Sequence, residues 1–185
     1  TKSGEDSLCD NGMNSGVGGE NMCMIYMTQH NVNITGVANH WENEIGISSL
    51  GSVSKSNFGE AIIVYNQMAA LGKGNLVISK GQVEHYGATL DDHPIALGGT
   101  QTLTTKDTYK FPLDIKNGRS YLKIWPFTDE EWETLPHVIL TANTNWDPSI
   151  LDYTHDHKEW FDAMQPKKGD SLHQTQFDMV RNYKH

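Results

Sequence analysis

The chain has 185 residues, of which 37% are hydrophobic and 20% are charged, enough for one domain of ordinary size with additional segments. Its net charge of −9 argues against an extended phosphate-binding surface, so nucleic-acid binding by this segment is not expected. The apolar stretches are too short to cross a membrane, and nothing at the N-terminus resembles a signal segment. Cys9 and Cys23 lack CxxC spacing, which favours two buried thiols in a soluble, cytoplasmic protein.

The first candidate site is the tripeptide Asp10-Asn11-Gly12, which a run of small residues follows. A Gly two positions after an Asp lets the backbone turn tightly under a carboxylate, as an aspartic-protease half-site requires. The same tripeptide is also a common turn sequence. A second segment, residues 74–87, favours the protease interpretation when both are considered together.

The next part of the chain predicts short strands separated by turns. Met22–Met27 and Val32–Gly36 are two β-leaning runs, and Glu60–Tyr65 is a stronger candidate for a buried strand. Between them, Gly46–Lys55 is rich in Ser and Gly, and it predicts either a strand pair or a mobile hairpin. Its residues do not decide between the two.

One short helix is predicted in the second segment. Ser79 is a helix-capping residue, and Gln82, Val83 and Tyr86 follow it at helical spacing before a terminating Gly87. A helix over residues 79–86 is therefore expected directly after the apolar run Leu76, Val77 and Ile78.

The remaining pattern up to Ile124 again indicates β-structure. Ala88–Leu90 predicts a strand, and Gln101–Thr105 and Tyr109–Ile115 predict a strand pair. Lys116–Arg119 contains Asn-Gly and predicts a hairpin turn before Tyr121–Ile124. The fold class expected from residues 1–124 is therefore all-β with one short helix.

Composition changes after this point, which places a boundary between residues 1–124 and an acidic, Trp-containing extension and tail at 125–185. Thr128 followed by acidic residues predicts a helix start, and Leu135–Thr141 is apolar. The polar end of the chain is expected to be partly disordered, with a final short helix at Thr175–Asn182.

The order of these motifs resembles the retropepsin-like protease region, and the segment after it, in polyproteins of copia-type retrotransposons, particularly those of diatoms and related algae. The resemblance covers about residues 7–163. It rests on seven stretches of the chain: Leu8–Gly12, Asn33–Gly36, Asn75–Gln82 with Gly87, Gly98–Gln101, Pro126–Glu131, Leu135–Val138 and Trp146–Asp152.

The resemblance implies a retropepsin-like barrel that cleaves its own polyprotein as a homodimer, with a polypeptide as substrate and without cofactor or metal. Each copy would contribute one catalytic carboxylate, here Asp10. The active-site loop would comprise Asn11, Gly12, Met13, Asn14 and Ser15. Leu76, Val77 and Ile78 would lie beneath the site, and Gly46–Lys55 falls where a flap belongs.

Three residues depart from the family pattern. Asn11 stands where Ser or Thr is usual, and Met13 and Asn14 stand where Ala and Asp are common. A carboxamide still donates and accepts hydrogen bonds, but Met13 is bulkier and Asn14 lacks a charge. The alternative function is therefore a structural polyprotein segment with a protease-like fold that no longer cuts.

Two other groups of residues are candidates for a metal site and for a base-stacking platform. His155, Asp156 and His157, with Glu159 and Asp162, alternate metal-ligating types, although a solvated tail explains them better than a metal site. The five Trp residues are expected to be packing anchors rather than a platform for stacked bases.

Overall fold

A computed structural model describes residues 4–36, 38, 40–152 and 162–165. The chain divides into two compact units, Thr1–Leu151 and Asp152–His185, and the fold described below is that of the first. The boundary that composition places after Ile124 falls inside this first unit. The expected helix at Thr175–Asn182 and the His155–His157 group lie outside the described residues.

Strands predominate in the described residues of the first unit, which also contain two helices of six residues and 3-10 turns that include Ile95–Leu97 and Pro148–Leu151. The helices are α1 (Lys80–His85) and α2 (Asp129–Thr134). The strands are β1 (Glu5–Asp10), β2 (Val17–Gly18), β3 (Cys23–Thr35), β4 (Trp41–Ser56), β5 (Gly59–Ala70), β6 (Val77–Ser79), β7 (Thr89–Asp91), β8 (Thr102–Thr104), β9 (Lys110–Lys116), β10 (Arg119–Ile124) and β11 (His137–Thr141).

These strands form one curled sheet in the order β3-β4-β5-β2-β6-β1-β10-β9-β8-β7, with β11 added parallel to β5. The sheet curls back on itself where Val53 of β4 meets Trp125 at the end of β10. Their main chains exchange two hydrogen bonds, with N···O distances of 2.8 and 3.0 Å. The expected all-β, barrel-like architecture is confirmed.

The core lies inside the curl and is made of large apolar side chains from most of the strands. Burying each Val, Leu, Ile or Phe contributes roughly 1.5–3 kcal/mol relative to leaving it exposed. The predicted buried strand at Glu60–Tyr65 is confirmed as part of the longer β5. Fully buried members of the core include Ile63, Tyr65, Leu76, Ile78, Leu103, Phe111, Leu122, Ile124 and Val138.

Two predictions in the first half of the barrel were wrong. The β-leaning runs Met22–Met27 and Val32–Gly36 belong to a single strand, β3, and Gly46–Lys55 is neither a strand pair nor a hairpin. It lies within β4 and reaches almost to its end, and the pairing of β3 with β4 begins where Thr35 faces Trp41.

Most serines of β4 are tolerated inside the strand because their hydroxyls have hydrogen-bond partners, whereas Ser48 Oγ is buried without a partner among the described residues. Ser49 Oγ donates to Asn66 Oδ1, Ser52 Oγ lies 3.2 Å from the Tyr65 hydroxyl, and Ser54 Oγ donates to a backbone carbonyl of β10. A buried hydroxyl with a hydrogen bond costs little, so the polar composition is compatible with a buried strand.

The local signals at the ends of helices and hairpins were predicted correctly. Ser79 caps α1 by accepting a hydrogen bond from the Gln82 backbone, and Thr128 forms a capping box with Glu131 at the start of α2. Asn117 and Gly118 both have positive φ, as a two-residue turn between β9 and β10 requires. The strand pair β8–β9 is also confirmed.

None of the helices within the described ranges has the length and apolar character needed to cross a membrane.

Gly19 is required by a close approach between two main chains. A Cβ built on Gly19 would lie 2.1 Å from the Gly74 carbonyl oxygen and 2.6 Å from the Asn75 carbonyl carbon. Gly19→Ala should therefore lower the free energy of unfolding by about 1–3 kcal/mol, because backbone cannot move aside as a flexible side chain can. Chemical denaturation measures the change.

Gly36→Ala is the matched control for this substitution. A Cβ on Gly36 would meet no atom closer than 3.6 Å, so its effect should stay within about 0.5 kcal/mol. Equal stability of the two variants would contradict the close packing of Gly19 against residues 74–75.

Candidate active site

Asp10 is the last residue of β1, which lies in the interior of the sheet between β6 and β10. Its Cα is paired in register with Ser79, the capping residue of α1. The side chain is half-buried, and Oδ1 accepts a hydrogen bond of 2.7 Å from the Gly12 backbone N–H. The first turn of the following loop therefore fixes the orientation of this carboxylate.

The loop predicted as the active-site loop leads from Asp10 to β2. Its exposed residues are Asn11, Gly12 and Asn14, whereas Met13 and Ser15 are half-buried. Gly16, the next residue, is buried and begins the return of the chain into the sheet. Asn11 stands at the exposed start of this loop.

The residues predicted to support the site lie between β1, which precedes this loop, and β2, which follows it. Leu76 and Ile78 are fully buried, and the Leu76 carbonyl accepts a hydrogen bond from the Leu8 backbone. Val77 is paired in register with Leu8 of β1 and with Val17 of β2. This segment therefore joins the strand that ends at Asp10 to the strand that begins after the loop.

Two side chains of the α1 region brace the loop from below. Ser79 Oγ donates to the Met13 carbonyl at 2.7 Å, and Gln82 Oε1 accepts from the Gly16 N–H at 2.8 Å. The Gln82 side chain is buried, and its Nε2 donates to the Gln67 carbonyl of β5 at 3.1 Å. One carboxamide thus satisfies two buried backbone groups on separate elements.

A cavity of about 610 Å³ opens above the loop. Residues 12–15 form one side, and Val17, Ile47 and Ala69 contribute apolar surface. Asp10 is not among the lining residues, which begin two positions after it. The size lies in the range of small-molecule and peptide side-chain pockets.

The tip of the β3–β4 hairpin forms a second wall of the cavity, through His30 and residues 32–35. This is the position in which sequence predicted Gly46–Lys55, and of that range Ile47 reaches the cavity. His30 and residues 32–35 therefore contribute to the cavity from β3, whereas most of Gly46–Lys55 is buried within β4.

A third wall comes from the segment after β11, through Asn145, Trp146 and Pro148. The Trp146 indole Nε1–H donates to the Asn14 carbonyl at 3.0 Å. Its ring packs against His85 and Tyr86 at the end of α1, with centroid distances of 5.2 and 5.8 Å. Packing was expected for this Trp, whereas its hydrogen bond to the loop was not.

The cysteine next to Asp10 is not suited to nucleophilic chemistry. Burial raises the pKa of the Cys9 thiol to about 12, with a further contribution from the negative charge of Asp92. Cys23 is half-buried rather than buried, and partial burial also raises its pKa. Both are free thiols that stay protonated at neutral pH, so neither provides an activated thiolate.

Within the ranges that the structure describes, no three His, Cys, Asp or Glu side chains are grouped so that they could hold a metal ion.

Comparison with protein-family models, curated proteins and solved structures found no match for this chain.

Three features around the predicted loop were not expected from the sequence: the hydrogen bonds of Gln82, the cavity wall from the β3–β4 hairpin and the contact of Trp146. Gln82 carried a usable signal, since a polar residue on the inner face of a short helix needs a buried partner. The hairpin tip and Trp146 carried none, because the contacts that bring them to the loop join residues far apart in the chain.

Gln82→Ala removes both hydrogen bonds of the buried carboxamide and leaves the Gly16 N–H and the Gln67 carbonyl without that partner. An unsatisfied buried polar group costs about 1–3 kcal/mol, and we expect a loss of unfolding free energy of at least that size. Urea denaturation measures it. Glu84→Ala on the exposed side of α1 is the control, because its 4.0 Å contact with Lys80 is a weak surface pair. A loss no larger than that of the control would contradict a bracing role for Gln82.

Proposed function

We propose that this chain is the aspartic endopeptidase domain of a copia-type retrotransposon polyprotein and that it processes that polyprotein as a homodimer. The observation that carries the proposal is the setting of Asp10. A carboxylate ends an interior strand on a tightly turned loop, a strand and a capped helix brace that loop from below, and a cleft opens above it.

A second copy is needed because the loop of one chain supplies one carboxylate. Two carboxylates within a few ångström of each other cannot both ionise, so such a pair shares one proton near neutral or mildly acidic pH. The ionised member then takes a proton from water while the protonated member polarises the scissile carbonyl. In this proposal Asp10 of each copy plays one of these roles.

The composition of the cleft supports the proposal that the substrate is a polypeptide. Its walls come from the loop, the hairpin tip and the segment after β11, and the lining residues combine apolar side chains with amides and hydroxyls. An extended peptide presents apolar side chains together with backbone hydrogen-bonding groups, and a lining of this mixed kind suits both.

Asp10→Asn should lower the rate of polyprotein cleavage by about 10²–10⁴-fold, because it removes the group that acts as general base and general acid. The fold should be retained, and the activity of the unmodified chain should fall faster than linearly on dilution. Asp114→Asn is the control, since that exposed carboxylate pairs with Lys123 away from the loop. Full activity of Asp10→Asn would exclude the aspartic mechanism.

Variants of Met13 and Asn14 distinguish the peptidase from the alternative, a structural polyprotein segment that no longer cuts. Met13 and Asn14 both line the cavity, so both alter what the loop presents to a ligand without entering the core. If they alone reduce catalysis, the double variant Met13→Ala with Asn14→Asp should raise kcat/KM several-fold at dimer-forming concentration. Equal kcat/KM in both proteins would show that these residues are tolerated. The absence of cleavage in both would favour the structural role.

A further inference from the structure

We propose that Trp146 is a positioning residue of the candidate site, which holds the main chain of the Asp10 loop through its indole N–H. The inference rests on the proposed peptidase function for its catalytic consequence, although the contact itself belongs to the fold. The residues concerned form a strap, defined here as Ala142–Leu151, that follows β11.

The strap is anchored where it leaves the sheet. Asn66 of β5 donates its backbone N–H to Thr141 Oγ1 at 2.7 Å and its side-chain amide to the Thr141 carbonyl at 2.8 Å. The Thr141 hydroxyl donates in return to the Asn66 carbonyl at 2.7 Å. All of these groups are buried, so three buried hydrogen bonds fix the start of the strap to β5.

The strap is anchored again at its far end. Leu151 packs over α1 so closely that a Cβ built on Gly81 would lie 2.7 Å from its Cδ1 atom. Asp147 Oδ1 accepts a hydrogen bond from the Ser149 N–H, which fixes the turn directly after Trp146. The Tyr86 hydroxyl adds a contact of 3.4 Å to the Thr144 carbonyl. Trp146 therefore lies between two fixed points.

Held in this way, the indole reaches the loop at the exposed residue Asn14, next to the positions held by Ser79 and Gln82. Its N–H donates to the Asn14 carbonyl, and its ring is backed by His85 and Tyr86. The loop is thus clamped at Met13, Asn14 and Gly16 by three different side chains. A loop that carries a reacting carboxylate gains from such clamping, because a displacement of about 1 Å can cost 10²-fold in rate.

The test compares Trp146→Phe with Trp132→Phe in the full chain. Phe keeps a ring against α1 but has no N–H to donate. Trp132 is the matched control, because its ring packs against Phe127 and His137 at 5.0 and 4.1 Å instead of against the loop. Backbone hydrogen exchange at Gly12 and Gly16 should be about five-fold faster in Trp146→Phe and unchanged in Trp132→Phe. Equal rates in Trp146→Phe and the parent chain would overturn the proposal.

A second measurement on the unmodified chain decides the matter if the variant does not fold. The Trp146 indole N–H should exchange with solvent several-fold more slowly than that of free tryptophan, and an equal rate would overturn the proposal. In a peptidase assay Trp146→Phe should lower kcat about ten-fold with KM within two-fold, and an unchanged kcat would also overturn it. A parent chain without activity that still shows faster exchange in the variant would support the positioning role and count against the proposed function alone.

Discussion

A single buried carboxamide, that of Gln82, connects the parts of the molecule on which the candidate site depends. It accepts from Gly16 at the end of the Asp10 loop and donates to Gln67 of β5, so the loop, α1 and a core strand share one side chain. A short helix such as α1 is not stable by itself. Its cap at Ser79 and the packing of Val83 in the core fix it in place, and only then does Gln82 have a defined position from which to hold the loop.

The barrel is organised around a long, partly polar hairpin. β4 is buried along most of its length although it contains five serines, and Asn66, Tyr65 and backbone carbonyls satisfy the hydroxyls of four of them. The β3–β4 hairpin also contributes to the candidate site. The inner half of the hairpin pairs with β5, whereas its outer part, Thr28–Thr35 of β3 and Trp41–Ile45 of β4, lies beyond that pairing and supplies His30 and residues 32–35 to the cavity. The same two strands thus serve both the core and the covering of the loop.

The sequence predicted best where the determining interaction is local. Ser79 and Thr128 cap helices through contacts three residues away, and Asn117-Gly118 sets a turn through its own backbone preference. The prediction for Gly46–Lys55 was wrong because a Ser- and Gly-rich composition indicates a turn or hairpin. The residues that stabilise this segment as a strand lie on other strands and cannot be read from its own sequence. The sequence predictions also missed the hydrogen bond of Trp146, whose acceptor at Asn14 is 132 positions away in the chain, and no periodicity or motif encodes such a contact. The Asp10 loop was predictable as a turn, but its braces required the tertiary structure.

The side chains that hold the Asp10 loop form hydrogen bonds with its main chain, which bears on the unusual residues Met13 and Asn14 within it. Met13 and Asn14 are held through their carbonyl oxygens and Gly16 through its N–H, so all three supporting hydrogen bonds are made to main-chain atoms. Asp10 itself is oriented by a backbone donor, that of Gly12. These hydrogen bonds therefore do not require a particular side chain at position 13 or 14. Substitution there changes the size and charge of the surface facing the cavity but leaves the carboxylate in place. In the proposed peptidase, the departures at Met13 and Asn14 would therefore bear on what the cleft accepts more than on whether the loop can form.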